Sequence, residues 1–158
     1  MSQTLMRGCD AIAAPLAQCY VTLEGKRYNF MQMIDFEARM IKIRQELPIL
    51  GKNGVGHKSG GWRGVFSGHA HFNQSVLRSM LYAYKQTGKE VYFDIQVTNE
   101  DPACGAGAQT VILLDCTLDG GVLTKFDANG KFLTEAVSGT FEDFRIPQQF
   151  ASLPGMEL

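Results

Sequence analysis

Apolar and polar residues alternate along most of this chain with a period of two, which is typical of β-strands that expose one face to solvent. The clearest case is residues 91–99, where Val91, Phe93, Ile95 and Val97 fall on one face. The same alternation, in places beside a short apolar run, predicts further strands over residues 19–24, 28–46, 62–72, 109–118, 122–127 and 132–146. The chain is therefore predicted to be mainly β, with about seven strands.

One segment changes to a helical period. Its apolar residues follow the spacing i, i+1, i+4, i+5, i+8, which forms a stripe along an amphipathic helix. The residues in the stripe are Val76, Leu77, Met80, Leu81 and Tyr84. Asn73 or Ser75 is suited to cap the start of this helix, and Gly88 is suited to end it.

These elements predict an antiparallel β-sandwich or open barrel with one flanking amphipathic helix. A length of 158 residues is that of one domain, so residues 1–158 are interpreted as a single domain. Three of its segments lack a strand or helix pattern: an N-terminal arm over residues 1–17, a long loop over residues 48–61, and a C-terminal tail over residues 147–158.

The long predicted strand over residues 28–46 changes its apolar face partway along. Ile34, Phe36, Ala38 and Met40 share one face, but the apolar positions then move to the other parity. A shift of one residue is what a β-bulge produces, so an irregularity is predicted at residues 40–41.

The loop between two of these strands is rich in glycine and purely cationic. From Gly51 to Gly61 it holds five glycines, two lysines and one histidine, with no acidic residue. A phosphate-binding loop requires lysine directly after its second fixed glycine and a helix after the loop, but here His57 precedes Lys58 and a strand pattern follows. The loop is therefore interpreted as a flexible arm that becomes ordered against another protein.

Metal binding has little support in the pattern. His69 and His71 share a strand face, but no spacing predicts a third ligand. Asp127-Ala-Asn-Gly130 resembles the opening of a calcium loop, yet it lacks the later acidic ligands and is interpreted as a hairpin turn. No metal and no cofactor are predicted.

An enzyme is not predicted either. Cys104 lies in a Gly/Ala-rich loop with no histidine near it in the sequence. Glu142 and Asp143 are adjacent and would point to opposite faces of a strand, so they do not form an acid–base pair. No catalytic residue is assigned.

Charge and cysteine content change this picture in two ways. Residues 1–63 hold nine Lys/Arg and five Asp/Glu, for a net +4, whereas residues 64–158 hold six and eleven, for a net −5. Such asymmetry suits head-to-tail self-association and argues against a general nucleic-acid-binding protein. The four cysteines match no zinc or disulfide pattern, and no apolar run is long enough for a membrane anchor or an export signal, so reduced thiols and synthesis in the cytoplasm are expected.

Long strands with unpaired edges favour aggregation unless something covers those edges. The predicted strands contain no internal proline and few lysines, so they lack the usual edge protection. Identical copies that pair their sheets around a ring would close these edges. The pattern therefore predicts self-assembly.

Several strings in the chain resemble the tail tube proteins of contractile phage tails, especially those of Gram-positive prophages and phage-tail-like bacteriocins. The resemblance runs from about Met1 to Phe150, and VYFDIQVTNEDP (91–102) is its most specific string. The other strings are GHKSGGWRG (56–64), YKQTGK (84–89), QTVILLDCTLD (109–119), LTKFD (123–127) and GTFEDFRIP (139–147).

This resemblance implies a structural subunit that forms hexameric rings, which stack into a hollow tube that conducts DNA or punctures the target envelope. It implies a β-sandwich with a helix at its side, and partners that include further copies, a contractile sheath, a baseplate or tube initiator, a tape measure protein and a tail terminator. Non-specific passage of DNA and no membrane anchoring are expected. The implied location is the tail of a virion or phage-like particle that is assembled in the bacterial cytoplasm.

Two sets of residues follow as hypotheses. Polar strand faces carry acids, Glu135 among them, that would let DNA slide past without binding. The acids expected to face the lumen are Asp35, Glu37, Asp94 and Asp115. The residues expected to contact neighbouring subunits or rings are Lys52, Asn53, Gly54, Val55, His57, Lys58 and Trp62.

Two alternatives stay open at this point. The ring protein of a related contractile secretion system would share the same architecture. A protein of a different class, a monomeric β-barrel that binds a small ligand in its mouth, would show the same strand pattern.

Overall fold

The computed structural model describes residues 5–156, and eight strands and one α-helix account for most of them. A short 3-10 helix, Gly8–Asp10, precedes the first strand. The elements are β1 Ala17–Leu23, β2 Lys26–Asn29, β3 Met33–Pro48, β4 Val55–His71, α1 Val76–Thr87, β5 Phe93–Glu100, β6 Ala108–Leu118, β7 Thr134–Phe141 and β8 Asp143–Gln148.

The strands form one hydrogen-bonded sheet in the order β2-β1-β5-β6-β7-β4-β3, with β8 paired to β6. The two ends of this order, β2 and β3, are not paired with each other, so the sheet is not a closed barrel. The predicted mainly antiparallel β fold with a single helix is confirmed.

Three predicted strands differ from those observed. Residues 28–46 contain the end of β2 and most of β3, and residues 132–146 contain β7 and part of β8. Residues 122–127 are not a strand, because they pair with no neighbour among the described residues. A period-two pattern reports which side chains share a face, but it does not show whether a partner strand lies alongside.

The chain folds as two compact units, each built from separate segments. One unit contains Met1–Met31, Phe93–Leu114 and Phe144–Leu158, as far as these are described, and the other contains Gln32–Tyr92 and Asp115–Asp143. β6 therefore contributes its first part to one unit and its last residues to the other.

The first unit is centred on the β1–β5 pairing. Glu24 and Gly25 form the turn between β1 and β2 with positive φ values of 52° and 76°, as a two-residue hairpin turn requires. Val21 pairs with Ile95, and both are buried with Phe93 and Leu113. Burial of these alternating apolar residues stabilises the unit.

The terminal segments of this unit are anchored to the loop between β5 and β6. The buried carboxylate of Asp101 accepts hydrogen bonds from the backbone N–H of Ala13 (3.0 Å) and Ala103 (2.9 Å). The N–H of Ala151 donates to the carbonyl oxygen of Ala106 at 2.8 Å. The predicted N-terminal arm is therefore held to its own chain at Ala13, and β1 already begins at Ala17, inside the range predicted for the arm.

In the second unit, α1 packs against the strands through the predicted apolar stripe. Met80 is buried at the centre of the helix, and Val76, Leu77 and Leu81 are half-buried. Gly88 ends the helix in the left-handed conformation, with φ 69°, and its N–H donates to the carbonyl oxygen of Tyr84 at 2.8 Å. The predicted end of the helix is confirmed. Its start follows Ser75, whose side chain makes no capping hydrogen bond.

The strand core of this unit is formed by β4 and β7. Phe66, Ala70, Val137 and Phe141 are buried, and the ring of Phe36 on β3 stacks on Phe66 with 5.8 Å between centroids. Gly139 lies opposite Phe66 in the β4–β7 register and opposite Leu118 in the β6–β7 register. The Phe66 ring covers the space that a side chain at Gly139 would occupy.

We expect Gly139→Ala to destabilise the protein, because a methyl group there would overlap both the carbonyl oxygen of Thr117 and the Phe66 ring. Overpacking of this kind costs about 1–3 kcal/mol, which thermal denaturation would show as a lower Tm. Gly54→Ala is the matched control, because nothing lies within 4 Å of its added methyl group. An equal Tm for the two variants would contradict the packing described around Gly139.

Candidate functional site

The β3–β4 hairpin extends well beyond the strand that flanks it. The last pairing of β4 with β7 joins Gly64 to Phe141, and the hairpin pairs beyond it, starting at Ile41 and Arg63, have no third strand alongside among the described residues. We call residues 41–63 the arm. It carries five Lys/Arg and one acidic residue, Glu46, and its side chains are almost all exposed.

A β-bulge divides the arm. Lys42 pairs with Trp62 and Arg44 pairs with Ser59, so that Gly60 and Gly61 together lie opposite the single residue Ile43. Gly61 has a φ of 126°, which disfavours any residue with a side chain. The bulge therefore has its extra residue on β4, where two adjacent glycines accommodate it.

The position of this bulge corrects the predicted one. Met40 and Ile41 pair regularly with Gly64 and Arg63, so no irregularity lies at residues 40–41. The apolar parity changes there for another reason: Met40 pairs with Gly64, where the pairing of β4 with β7 ends, and the apolar residues beyond it, Ile41 and Ile43, lie on the opposite face of β3. The sequence pattern reports the change of environment, and the bulge follows at Ile43.

Beyond Met40 the arm has an uncovered apolar face. Ile41, Ile43 and Leu47 alternate along β3, so they share one face, and all are exposed. Leu50 at the turn is fully exposed. The large apolar arm residues with exposed side chains are Ile41, Ile43, Leu47, Ile49, Leu50, Val55 and Trp62. Val55 and Trp62 pair with Pro48 and Lys42, so they lie on the opposite face and both faces of the arm expose apolar side chains. Exposed apolar surface of this kind indicates a protein–protein contact.

The turn of the arm is short, which corrects the predicted loop over residues 48–61. β3 continues to Pro48 and β4 begins at Val55, so only residues 49–54 connect the strands. The N–H of Lys52 donates to the carbonyl oxygen of Ile49 at 3.2 Å, and Gly51 has a φ of 82°. Residues 56–59 pair backbone to backbone with β3, and such hydrogen bonds need no side chains, so a glycine-rich segment can form them.

Comparison with known proteins identifies the family. Residues 4–148 match the model of a family described as phage tail tube proteins. The chain belongs to the phage tail tube protein family.

Two relatives of this tail tube protein come from Bacillus subtilis (strain 168). It is 36% identical over 117 residues to the uncharacterized protein YqbM, a match that covers 74% of this chain and 80% of YqbM. It is 30% identical over 116 residues to the phage-like element PBSX protein XkdM, covering 73% of this chain and 79% of XkdM.

Solved structures share the fold. A chain in the cryo-EM structure of the anti-feeding prophage baseplate superposes with a TM-score of 0.64 at 10% identity, covering 86% of this chain and 94% of that chain. A chain in the PVC extracellular contractile injection system, in its sheath–tube complex in the extended state, gives 0.62 at 11% identity, with coverage of 84% and 88%.

Family membership confirms the predicted structural role. The protein is a structural subunit of a tail tube, its place is the tail of a phage or phage-like particle, and its role is not enzymatic. No helix among residues 5–156 is long and apolar enough to cross a membrane.

The structure places all seven predicted contact residues of this tail tube protein on the arm. Lys52, Asn53 and Gly54 belong to its turn, and the other four lie on β4. Those four are Val55, His57, Lys58 and Trp62. His57 Nε2 lies 3.8 Å from Glu46 Oε1 across the hairpin, and Lys58 pairs with Gln45. The Trp62 ring packs against Phe141, with 6.2 Å between centroids, so this residue joins the arm to the core.

The predicted lumen acids have different surroundings. On β3, Asp35 and Glu37 share an exposed face, where Asp35 Oδ2 lies 3.0 Å from His69 Nδ1 and Glu37 forms an ion pair with Arg39. Asp94 on β5 is half-buried. Asp115 on β6 is exposed, with a φ of 54° that aspartate tolerates better than most residues.

Grouping Glu135 with these outward-facing acids is wrong. Its side chain is 5% exposed, and its Oε2 accepts a hydrogen bond from Arg78 Nη1 at 2.7 Å. Period two places Glu135 on the same face of β7 as the buried Val137 and Phe141, and Arg78 of α1 pairs with its carboxylate there.

The other candidate sites have structural explanations. Asn129 N–H donates to Asp127 Oδ1 at 3.0 Å, so a turn lies at this position, but it is not the predicted hairpin turn because residues 122–127 form no strand. The buried Cys104 donates its S–H to the carbonyl oxygen of Asp10 at 3.3 Å. Within residues 5–156 there is no group of three or more His, Cys, Asp or Glu side chains that could hold a metal ion.

The predicted contact residues include the cationic and glycine positions of the arm together with Val55 and Trp62, but not the aliphatic residues of β3 and the turn. The signal was present in Ile41-Lys-Ile43 and in Leu47-Pro-Ile-Leu50, where aliphatic residues flank a segment without any other core pattern. Ile41 and Ile43 fall in the predicted strand over residues 28–46, and Ile49 and Leu50 fall in the predicted loop over residues 48–61, but none of them is predicted as a contact residue.

Proposed function

We propose that identical copies of this protein form hexameric rings, which stack into the hollow inner tube of a contractile tail. The observation that carries the proposal is the arm, which exposes seven large apolar side chains and has no third strand beside it within residues 5–156. Exposure of this kind costs free energy in a lone subunit and is relieved when another surface covers it. The arm is therefore assigned to contacts between stacked rings.

Lateral closure of the ring is assigned to the sheet edges. Within the described residues β3 pairs only with β4, and β2 only with β1, so each end of the sheet offers unpaired backbone groups. An edge of sixteen residues, as in β3, promotes pairing with further strands. In a closed ring with rotational symmetry, each free sheet edge pairs with the neighbouring subunit, so no edge is left unpaired.

Negative-stain electron microscopy of the purified protein tests this function directly. Hollow tubes, or rings with sixfold symmetry in end views, are the expected result. Uniform single particles of 17.4 kDa at high concentration would contradict it. The open sheet already disfavours the monomeric β-barrel alternative, which requires a closed barrel with a ligand-binding mouth.

The remaining tail components are proposed as partners on the same basis. The structural neighbours come from assemblies described as a baseplate, a sheath–tube complex and a sheath/tube terminator. For this protein we propose contacts with a contractile sheath, a baseplate or tube initiator, a tape measure protein and a tail terminator. Assembly in the host cytoplasm fits its four free cysteines, because that compartment keeps thiols reduced.

Conduction of DNA is proposed to depend on acids that face the lumen. Replacing Glu37, Asp94 and Asp115 with amides should slow DNA delivery by roughly severalfold in particles that carry the variant. A less negative wall repels the DNA phosphates less, so the DNA adheres to it more. Asp35 is left unchanged, since its Oδ1 accepts a hydrogen bond from the His69 backbone N–H at 3.1 Å.

The readouts for this variant are the rate of DNA delivery and the length of the tube. Tube length should be unchanged, because these acids are not assigned to the stacking contact. Glu24→Gln, at the exposed turn between β1 and β2, is the charge-matched control for a single acid. Delivery at the rate of the native protein would refute the lumen assignment.

A further inference from the structure

An apolar groove lies beside α1 in the second unit. It has a volume of about 290 Å³ and lies between α1 and the residues that follow β6. Met80, Leu81, Val91 and Leu118 provide its apolar lining, and the exposed carboxylates of Glu90 and Asp119 lie at its border. The groove, which we call the α1 groove, therefore suits an apolar group that stands next to a cation.

The tip of the arm has this chemistry. Leu50 is fully exposed, Ile49 beside it is more than one-third exposed, and Lys52 follows in the same turn. The turn contains no acidic residue. The tip therefore complements the α1 groove in both hydrophobicity and charge.

Tip and groove lie far apart along the same strand. The N–H of Asp119 donates to the carbonyl oxygen of Ser138 at 3.1 Å, and Ser138 pairs with Ser67 on β4, so this wall of the groove is level with Ser67. Val55, next to the tip, is twelve residues earlier on β4, which corresponds to about 40 Å of extended strand. A tip cannot reach the groove of its own subunit across that distance.

We propose that the arm tip of one copy inserts Leu50 into the α1 groove of another copy, with Lys52 facing Glu90 and Asp119. The proposal rests on the proposed tube function and names the surface that receives the arm. Because two different patches meet, the contact is heterologous, and a heterologous contact that does not close into a ring repeats from copy to copy. A stack of rings requires contacts of this type along its axis.

A charge swap tests the pairing. Lys52→Glu alone and Asp119→Lys alone should each reduce the polymerised fraction by roughly tenfold, because like charges then meet at the contact. The chain that carries both changes should recover tubes, because the new carboxylate at position 52 then meets the new ammonium group at position 119, which offsets its repulsion by Glu90. Failure of the double variant to polymerise, although it folds like the native protein by circular dichroism, would overturn the pairing.

Chemical cross-linking gives an independent test. Cys9 is the exposed native thiol, whereas burial raises the pKa of the Cys19 thiol to about 11, so Cys9→Ser removes the reactive background. In that background, a chain with Leu50→Cys and Leu81→Cys treated with a short bismaleimide should give a ladder of covalent multimers. A chain with Leu50→Cys and Phe126→Cys, a more exposed position outside the groove, should give none.

The outcomes separate this inference from the proposed function. If the native protein forms tubes but the chain with Leu50→Cys and Leu81→Cys gives no covalent multimers, the inference is overturned while the tube function stands. Cross-linking at Phe126→Cys instead would assign the tip to another surface, and would also overturn it. Absence of rings and tubes from the native protein would overturn the proposed function itself.

Discussion

A variant in which an Asn-Gly turn replaces residues 43–61 should fold normally and fail to form tubes. Lys42 and Trp62 are a directly paired position of the hairpin, so a two-residue turn can join them without changing the register below. The Trp62 contact with Phe141 and the stacking of Phe36 on Phe66 are kept. The variant loses the arm tip and most of the uncovered apolar face, so the stacking contact should be lost almost completely.

Electron microscopy and sedimentation velocity would measure this loss, and thermal denaturation would show that the fold is intact. Phe126→Ser is a matched control, since it removes an exposed apolar side chain outside the arm and should leave tubes unaffected. Tubes of normal length from the shortened variant would show that stacking does not use the arm. A shortened protein with a strongly lowered Tm would instead contradict the independence of the hairpin end from the core.

Arg78→Ala should be the most destabilising single substitution among those considered, at about 3–5 kcal/mol, because it leaves the buried carboxylate of Glu135 without its partner. Arg78 connects three parts of the second unit. Its Nη1 donates to Glu135 Oε2 at 2.7 Å and to the carbonyl oxygen of Val122 at 3.2 Å, and Nη2 donates to the carbonyl oxygen of Gln74. Its guanidinium carbon also lies 4.1 Å from the centre of the Phe72 ring.

Thermal denaturation would report this change as a Tm lowered by on the order of 10 °C. The double variant Arg78→Met with Glu135→Leu removes both charges while keeping apolar volume, so it should recover most of the stability. Lys85→Ala, on the exposed last turn of the same helix, is the control and should change Tm little. Equal effects of Arg78→Ala and Lys85→Ala would contradict the buried ion pair.

Strand and helix positions could be predicted from the sequence because their signal is local. The apolar stripe ending at Tyr84 indicates α1, and the glycine at position 88 indicates its C-terminal end. The four alternating apolar residues from Val91 to Val97 indicate most of β5. Each of these signals needs only neighbouring residues and the period of the element. The irregular pairing at Ile43 has no such local signal, because a bulge is a relation between two strands.

The site was predictable in its location and only partly in its chemistry. A cationic glycine-rich segment between two strands pointed to the arm, and its lysines were recognised as contact residues. Ile49 and Leu50 at the tip were not, because Leu50 in isolation has the same sequence signature as a core leucine. Its full exposure is visible only once the hairpin is seen to extend past β7.

The amino-acid pattern by itself determined a mainly antiparallel β protein with one helix, an arm in the middle of the chain, and membership of the tail tube family. These depend on period, turn chemistry and recognisable strings, all of which act over short stretches. The tertiary structure alone decided that residues 56–59 are paired strand, that Glu135 is buried beside Arg78, and that the α1 groove lies about 40 Å along β4 from the arm tip. Burial, register and separation depend on which distant segments meet, and no local pattern records those meetings.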